Sequence, residues 1–417
     1  MINPQQIAII GAGTAGLAAA IVLARQGHFI SLFESVEELS PVGAGLLLQP
    51  AGLAVFAHLG VLEHALTLGA KVTGLEGLLA NGQLLVNSHY SEAGEGLYGL
   101  GIHRATLCHV LVQALKSEPL SSQITWRMGV SVDEIDDCGA EARLYGHDKA
   151  GKLDAAFDLV IVANGARSQL RPSDWVVLDK PYPWGAAWTI VPECTALDRE
   201  ILHQFYDGSA VMMGILPTGA IPDAPEQRLA SVFWSLPASQ LNGWMQQVGH
   251  REAWLETVSQ RWPIAAQWLE TVIHRPEQWL AAQYRDVVMR RFGQGRIGVS
   301  GDAAHAMSPQ LGQGANMALL DAWALGQSMN MDGDLDYSAM WKKYHSIRAS
   351  STHFYQWLSR QLTPLYQSDS RVAGWVRDFS FIWMYRIPYV KREMAITISG
   401  LKTGLFTGLK AADVSKK

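Results

Sequence analysis

A glycine-rich segment near the N-terminus constrains the fold of this chain more than any other feature. It follows a short apolar run and has the spacing Gly11-x-Gly13-x-x-Gly16. A helical pattern comes next, and the strand pattern after it ends in the acidic residue Glu34. A strand, a turn with three spaced glycines, a helix and a second strand closed by an acid are typical of the first unit of a doubly wound α/β fold.

Each of these residue types has a physical role in such a unit. Gly11 permits the tight turn, Gly13 lets the backbone approach a pyrophosphate, and Gly16 lets helix and strand pack closely. The free N–H groups at the start of the helix face the phosphates. Glu34 can accept hydrogen bonds from ribose hydroxyls, and its charge disfavours a 2′-phosphate. The segment therefore predicts a site for the ADP half of FAD or NAD rather than for NADP.

Two later segments bear on the choice between FAD and NAD. In the second, a strand pattern at 158–163 precedes Asn164 and Gly165, which taken alone is equally consistent with an ordinary strand and a polar turn. In the third, a strand pattern precedes Asp302, whose carboxylate can accept a hydrogen bond from a ribityl hydroxyl. The stretch 312–316 then offers backbone N–H groups at a helix start, which suit the negative charge of a reduced isoalloxazine. The third segment thus favours FAD.

With the three segments in this order, the sequence resembles the class A flavoprotein monooxygenases, the p-hydroxybenzoate hydroxylase-like family, over residues 5–345. The resemblance implies an enzyme that uses FAD, NADH or NADPH, and O2 to hydroxylate a small, mostly apolar aromatic or polyketide-like substrate through a flavin C4a-hydroperoxide. The flavin would carry the chemistry, so no catalytic side chain is named. By their positions in the family motifs, the residues expected to bind FAD are Gly11, Gly13, Ala15, Gly16, Glu34, Gln49, Arg104, Val132, Asp302, Pro309, Gly312, Gly314 and Asn316.

One position departs from the family pattern. The family has Asp-Gly in the second motif, at a position linked to both FAD and NAD(P)H binding, whereas this chain has Asn164 before Gly165. Asparagine keeps an acceptor of similar size but loses the charge. FAD binding is expected to persist because the other two motifs are intact. Recruitment of the nicotinamide reductant is left open, and a separate reductase that supplies the electrons is an alternative.

The pattern of the whole chain predicts an α/β fold with three parts. A Rossmann-like FAD-binding domain carries an inserted, mostly antiparallel β-sheet that forms the substrate domain, and a helical C-terminal region follows. The expected ranges are 1–70, 99–175 and 286–345 for the FAD-binding domain, 71–98 and 176–285 for the substrate domain, and 346–417 for the C-terminal region. Arg285 and Asp286, at a domain boundary, are expected to tie the domains together through a charged pair.

Four large side chains are candidates for a substrate pocket on one face of the inserted sheet, over the flavin. They are Trp188, Tyr206, Met213 and Trp234. Core packing accounts for each of them more readily than contact with a ligand does.

Composition argues against several classes of function. Of the 417 residues, 33 are Lys or Arg and 38 are Asp or Glu, which gives a formal net charge of −5, and no basic run indicates nucleic-acid binding. The three cysteines are widely spaced and form no CxxC pair, which argues against a disulfide framework or a zinc site and favours a reducing cytoplasm. No uninterrupted apolar stretch of about 18 residues indicates a membrane-spanning helix.

The C-terminal region combines aromatic and basic residues in a helical pattern. The favoured interpretation is a pair of helices that caps the substrate cavity or joins two subunits in a homodimer. The other interpretation is an amphipathic stretch that contacts a membrane surface and makes the protein membrane-peripheral.

Two other functions fit parts of the sequence. Flavin-dependent halogenases carry a Trp-x-Trp-x-Ile-Pro motif, whereas here Trp184 and Trp188 have a different spacing. A non-catalytic flavin-binding partner protein is the second alternative, and Asn164 gives it slight support. Hydroxylation is the leading prediction.

Overall fold

The computed structural model describes residues 3–39, 43–246, 251–274, 278–330, 335–405 and 407–416, which form nineteen β-strands and thirteen α-helices. The strands are β1 (Gln6–Ile10), β2 (Phe29–Glu34), β3 (Gly45–Leu48), β4 (Ala70–Val72), β5 (Gly74–Leu79), β6 (Leu84–His89), β7 (Gly99–His103), β8 (Ile124–Met128), β9 (Ser131–Asp137), β10 (Ala142–Asp148), β11 (Gly151–Phe157), β12 (Leu159–Val162), β13 (Val176–Pro192), β14 (Ile201–Asp207), β15 (Val211–Ile221), β16 (Ala224–Pro237), β17 (Leu280–Met289), β18 (Gly293–Gln294) and β19 (Ile297–Val299). The helices are α1 (Thr14–Arg25), α2 (Pro50–His58), α3 (Leu62–Leu68), α4 (Arg104–Lys116), α5 (Ala238–Gln246), α6 (Arg251–Arg261), α7 (Pro263–Val272), α8 (Asp302–His305), α9 (Gly314–Met329), α10 (Tyr337–Tyr366), α11 (Arg371–Met384), α12 (Pro388–Ile398) and α13 (Ala411–Ser415).

One sheet has six strands in the order β18-β19-β12-β1-β2-β8. Its last five strands are parallel neighbours, and β18 joins the edge in the antiparallel sense. Residues 7–10 of β1 and 159–162 of β12 are buried throughout, as a parallel sheet covered on both faces requires. The helix α1 packs against both α4 and α9. This sheet confirms the predicted Rossmann-like unit.

A second sheet has seven strands in the order β17-β13-β16-β15-β14-β5-β6. Its pairs are antiparallel except for β14 with β5. The helices α5, α6 and α7 cover one face of this sheet through an apolar cluster that contains five buried tryptophans, Trp234, Trp254, Trp262, Trp268 and Trp279. The mostly antiparallel inserted sheet is therefore confirmed.

A small sheet, β3-β7-β4, connects the two large ones. Its strands contact β15 and β16, and α2, which follows β3 directly, packs against α9. A further three-stranded sheet, β11-β10-β9, precedes β12. The strands β4 and β17 run across the predicted boundaries at 70/71 and 285/286, and the three domain ranges stay a prediction from the sequence.

The C-terminal region is helical, as predicted. The helix α10 is 30 residues long, and at its start the carboxylate of Asp336 accepts hydrogen bonds from the backbone N–H groups of Ser338 (2.9 Å) and Ala339 (3.1 Å). It packs against α9 and α11, and α11 also packs against β6 of the seven-stranded sheet. None of the described helices is long and apolar enough to cross a membrane.

Candidate functional site

The carboxyl ends of four parallel strands meet at one edge of the six-stranded sheet. Because β19, β12, β1 and β2 are adjacent and parallel, the segments that follow them lie side by side. These segments are the three glycine-containing motifs and Glu34. The edge of an open α/β sheet at the carboxyl ends of its strands is the usual place for a nucleotide ligand.

The three glycines of the first loop have different surroundings. Gly11 has a φ of 109°, which other residue types rarely adopt. A side chain at Gly16 would overlap the carbonyl oxygen of Gly11, so this glycine lets α1 approach β1. A side chain at Gly13 would meet no protein atom within 4 Å. The loop is therefore closely packed at Gly11 and Gly16 and open at Gly13, where a phosphate group can approach the backbone.

Glu34 lies at the end of β2, beside this loop. Its Oε2 atom accepts a hydrogen bond from the backbone N–H of Ala12 (2.9 Å), and its Oε1 atom accepts one from the backbone N–H of Val36 (3.2 Å). These bonds fix the carboxylate at the edge of the sheet while the side chain stays partly exposed. The position suits a carboxylate that holds a ribose.

Two more predicted residues lie near Glu34. Arg104 is the exposed first residue of α4, and its backbone N–H donates to the carbonyl of Ala44 (3.2 Å). Burial raises the pKa of the Cys108 thiol, which the charge of Arg104 lowers and that of Glu34 raises, so both charges act on this thiol. Val132 is on β9, just after Val130, whose N–H bonds the backbone carbonyl of Glu34 (2.9 Å).

Asp302 is exposed at the start of α8 and has no hydrogen-bond or ion-pair partner within the described residues. Its Oδ1 atom lies 3.8 Å from the place that a Cβ at Gly314 would occupy. The carboxylate is therefore next to the start of α9 and free to accept a hydrogen bond from a ligand.

The helices α1 and α9 run side by side in the same direction. A Cβ at Gly301 would be within 4 Å of both Ala15 and Ala318, near the two helix starts, and further along Gln26 Nε2 donates to the carbonyl of Gly326 (2.9 Å). Their positive N-terminal ends therefore lie on the same side of the molecule.

Both of these helix starts lack a capping side chain, unlike α10 and α11. Within the described residues, the backbone N–H groups of 14–16 and of 314–316 have no acceptor. Two groups of free donors with aligned dipoles are available for a ligand with negative charge at two separate places. A dinucleotide cofactor with a pyrophosphate and an anionic reduced ring has this distribution of charge.

Gln49 and Asn316 shape the site from within the protein. The side-chain carbonyl of Asn316 accepts from the backbone N–H of Gln49 (2.8 Å), and its amide donates to the carbonyls of Gly312 (3.0 Å) and Leu47 (3.3 Å). Gln49 donates to the carbonyl of Leu311 (3.2 Å) and accepts from the hydroxyl of Tyr90 (2.9 Å). Both side chains are buried, so they fix the loop at 309–313 rather than present a free polar group.

Pro309 and Gly312 give this loop its course. Pro309 is exposed, and Gly312 has a φ of 61°, in the left-handed region. The preceding hydroxyl, that of Ser308, bonds those of Ser359 (2.9 Å) and Thr363 (3.3 Å) on α10. The loop is thus attached to the C-terminal region as well as to α9.

A buried ionic network that the sequence did not reveal holds the third motif in place. Asp321 on α9 accepts hydrogen bonds from His305 Nε2 (2.6 Å) and the backbone N–H of Gly301 (2.8 Å) through one oxygen. Its other oxygen accepts from Arg348 Nε (2.7 Å) on α10. Although burial opposes ionisation, His305 and Arg348 hold the pKa of Asp321 well below its ordinary value. An acidic residue within the otherwise apolar pattern of α9 was the available signal.

The second motif lies beside the third. Asn164 is exposed and its side chain has no hydrogen-bond partner within the described residues. Arg171, at the end of this motif, is buried and donates to the carbonyl of Ala303 (3.4 Å) and to Asp179 (2.7 Å). Arg285 also pairs with Asp179. Of the two residues expected to tie the domains together, Arg285 pairs with Asp179 of its own predicted range, and Asp286 makes no ion pair in the described part of the chain. The pair that joins the two predicted ranges is Arg171 with Asp179.

The expectation that four large side chains share one face of the seven-stranded sheet is wrong. The register places Met213 opposite Trp234, and Trp234 opposite Ala187, on the face that α5, α6 and α7 cover. Trp188 lies opposite Phe233 on the other face. Tyr206 is also on that other face, but its ring is buried against Tyr366, with centroids 5.4 Å apart. Trp188 therefore stays a pocket candidate, while Met213, Trp234 and Tyr206 serve packing.

Comparison with known proteins gives consistent results. The family model described as an FAD binding domain matches residues 5–350. The 3-amino-4-hydroxybenzoate 2-monooxygenase of Streptomyces cremeus is 30% identical over 358 residues, which cover 83% of this chain and 84% of that protein. Aurachin C monooxygenase/isomerase of Stigmatella aurantiaca is 26% identical over 383 residues, 89% of this chain and 92% of its own. The crystal structure of p-nitrophenol 4-monooxygenase from Pseudomonas putida DLL-E4 has the same fold, with a TM-score of 0.78 at 18% identity, covering 96% of this chain and 100% of that one.

Proposed function

The chain belongs to the FAD binding domain family and is an FAD-dependent monooxygenase of the aromatic hydroxylase type, and we propose that its substrate is a small, uncharged and mostly apolar aromatic or polyketide-like compound. NADH or NADPH and O2 are the co-substrates. The observation that carries the assignment of an FAD enzyme is the pair of uncapped helix starts at one sheet edge. Beside the second of them lies the carboxylate of Asp302, which has no partner among the described residues.

The residues at the sheet edge fit FAD in the following way. Gly11, Gly13 and Gly16, with the N–H groups at the start of α1, would hold the pyrophosphate, and Glu34 the adenosine ribose. Ala15, Arg104 and Val132 are the further residues on that side. Asp302 would accept a hydrogen bond from the ribityl chain, and the start of α9, with Gly312, Gly314 and Pro309, would surround the ring. Gln49 and Asn316 would act by positioning this last loop.

Bound FAD supplies the electron transfer and oxygen insertion. The chain contributes binding, orientation and electrostatics. The free N–H groups at 314–316 and the dipole of α9 would stabilise negative charge on the bound ring. The network around Asp321 keeps these groups in fixed positions, so they need no rearrangement when charge appears.

The buried charges of the chain support an uncharged substrate. Four lysine and arginine side chains are buried among the described residues, and each already pairs with a carboxylate: Arg171 with Asp179, Arg348 with Asp321, Arg377 with Asp378, and Lys402 with Glu393. A buried carboxylate on the substrate would therefore meet no free buried cation in this part of the chain, and an unpaired buried charge is costly. Trp188 and Phe233, whose rings lie 5.0 Å apart, offer an apolar surface instead.

This proposal can be tested with matched aromatic compounds. The FAD-loaded protein is given O2, NADH or NADPH, and either a neutral alkylphenol or the benzoate that differs from it only by a carboxylate. We expect the neutral member to stimulate NAD(P)H oxidation about tenfold or more over its charged partner, since one unpaired buried charge costs more than 1.4 kcal/mol. Incorporation of labelled oxygen from O2 into the product checks hydroxylation. A consistent preference for the carboxylates would contradict the proposed substrate class.

A second candidate function is supported by Asn164. Its lack of charge leaves open a monooxygenase whose electrons come from a separate reductase. Anaerobic reduction of the purified FAD-loaded protein distinguishes the two cases. Full bleaching of the flavin absorbance by NADH or NADPH alone supports the self-sufficient enzyme, and no bleaching without an added reductase supports the alternative. The relatives reported above are monooxygenases, which favours hydroxylation over halogenation.

A cytoplasmic location and a homodimer stay predictions from the sequence. Contact with a membrane surface is compatible with the helices of the chain, because peripheral binding needs no spanning helix.

A further inference from the structure

The helix α11, the short connection after it and the first five residues of α12 expose an unusual set of side chains. Eleven residues between 371 and 392 are exposed, of which eight are apolar and three are arginines. The most exposed large ones are Val372 (70%), Trp375 (67%), Tyr389 (64%), Phe379 (59%), Trp383 (55%), Ile387 (51%) and Val376 (44%). The arginines are Arg371, Arg386 and Arg392, and Pro388 completes the set. We name these eleven residues the α11 face.

The face is a regular stripe rather than a disordered collection. Val372, Trp375, Val376, Phe379 and Trp383 recur at intervals of three and four residues, which places them along one side of α11. The rings of Trp375 and Phe379 are stacked, 5.8 Å apart. An ordered apolar stripe of this size on the outside of a helix usually contacts something.

The opposite side of α11 is firmly packed, so the helix cannot simply turn its apolar side inward. Arg377 is fully buried, with its guanidinium 4.9 Å from the ring centre of Tyr206 and 5.4 Å from that of Tyr366. Phe381 is buried in the same cluster, and Gly374 lies against the backbone of Gly208 and Ser209. The inner side is therefore fixed to the seven-stranded sheet, and the stripe faces outward.

The charge of the face is entirely positive. The acidic residues of the segment 371–393, Asp378 and Glu393, are not exposed and pair with Arg377 and Lys402. The chain as a whole carries a formal charge of −5, so a purely cationic surface is a local departure from its overall balance. The guanidinium of Arg386 lies 4.7 Å from the ring centre of Trp383, so charge and aromatic surface are presented together.

These features identify the kind of partner. In a twofold contact between two copies of this chain, both sides would contribute arginines and neither side an exposed carboxylate of the α11 face, which is repulsive. A bilayer with anionic lipids instead offers an apolar interior for the aromatic rings and phosphates for the arginines. Tryptophan, tyrosine and arginine are also the residues that prefer the region between headgroups and acyl chains. We propose that the α11 face binds the surface of an anionic lipid bilayer.

Vesicle sedimentation of the full FAD-loaded protein tests this. The two kinds of vesicle are phosphatidylcholine alone and phosphatidylcholine with phosphatidylglycerol. We expect binding to the anionic vesicles that weakens as salt increases, because charge attraction contributes. The double variant Trp375→Ser with Phe379→Ser should bind the vesicles at least about tenfold more weakly, because two large apolar groups no longer enter the bilayer. A matched control is Phe29→Ser with Ile264→Ser, two apolar residues that are 44% and 55% exposed on other elements.

A charge variant keeps the test independent of the aromatic residues. Arg386→Gln with Arg392→Gln should lose about fivefold per arginine on anionic vesicles and little on neutral ones. Retained FAD content and unchanged circular dichroism show that each variant is folded. No sedimentation with anionic vesicles, or equal binding by the α11-face variants and the control, would overturn the proposal. A mass that doubles with concentration without lipid and returns to one chain in Trp375→Ser with Phe379→Ser, with no vesicle binding, would instead assign the face to a second copy.

Discussion

Gly13 and Gly16 belong to the same glycine motif, but glycine is needed at the two positions for different reasons. Gly16 is needed by the protein, because any side chain there overlaps the backbone of Gly11. Gly13 has an extended backbone, with φ −83° and ψ −171°, that alanine can adopt, and open space around it. Glycine at position 13 is therefore required for ligand binding and not for folding.

This difference leads to a prediction for alanine at each position. Gly13→Ala should leave the thermal unfolding midpoint of the FAD-free protein unchanged but weaken FAD binding roughly tenfold to hundredfold, since a methyl group enters the space proposed for the pyrophosphate. Gly16→Ala should lower the unfolding midpoint of the FAD-free protein. Absorbance titration with FAD and thermal unfolding measure the two effects. Normal FAD affinity in Gly13→Ala would contradict the proposed place of the pyrophosphate.

At the scale of single residues, the face of the sheet to which a side chain belongs was harder to predict than the strand that carries it. Within one strand the alternation of faces is fixed, but the register between strands decides which residues meet. Tyr206 lies opposite Met212 rather than Met213, and Trp188 lies opposite Phe233 rather than Trp234. Because neighbouring residues of a strand lie on opposite faces, this difference of one residue puts Met213 and Trp234 on the face that the helices cover. Nothing in the spacing of aromatic residues along the chain reveals the register between the strands.

At the scale of elements, α9 carries two functions at once. Its start provides free N–H groups for a ligand, and about two turns further Asp321 holds α8 and α10 in place. The spacing of glycines predicted the first function because local sequence determines a helix start. The second depends on Arg348, which lies 27 residues away on another helix, and no local pattern links the two.

The Asp321 network should be measurable as stability. Asp321→Asn leaves Arg348 without its buried counter-charge and removes the carboxylate that His305 bonds, and we expect a loss of about 3 kcal/mol or more of unfolding free energy. The folded pKa of Asp321 is depressed below its ordinary 3.8, so its contribution is fully present above that value and is lost as pH falls toward the folded pKa. Urea unfolding should thus show a constant deficit in the variant between pH 7 and pH 5 that shrinks below about pH 4.

Asp413→Asn is the control for this prediction. Asp413 pairs with Lys416 at the surface, where water screens both charges, so its loss should not change the urea midpoint measurably. A deficit in Asp321→Asn no larger than that of Asp413→Asn would show that the buried network does not stabilise the fold.

At the scale of the whole molecule, the order of elements followed from the sequence, because strand, turn and helix patterns alternate in the N-terminal part and lapse in the inserted sheet. The parallel arrangement of β19, β12, β1 and β2 then brings together segments that are up to about 290 residues apart. The course of the C-terminal helices could not be predicted in the same way. Their aromatic residues fit both packing and exposure, and it is the contacts of Gly374, Arg377 and Phe381 that show which side of α11 is inside.

The convergence of distant segments has a consequence for stability when the ligand is removed. FAD should stabilise the protein by about 2.7 kcal/mol at a hundredfold excess over its dissociation constant, because it binds only the folded chain. ADP reaches the first loop and Glu34 but not Asp302 or the start of α9. It should therefore bind more weakly and, at the same free concentration, raise the unfolding midpoint less than FAD does. Thermal unfolding of the FAD-free protein with each compound added measures the two midpoints. In the variant Asp302→Ala the difference between the midpoints with FAD and with ADP should be smaller, because only the binding of FAD is weakened. If ADP bound as tightly as FAD and raised the unfolding midpoint as much, the start of α9 would have no part in FAD binding. In the proposed arrangement FAD contacts both the first loop and the start of α9, so each contact must contribute to its binding free energy.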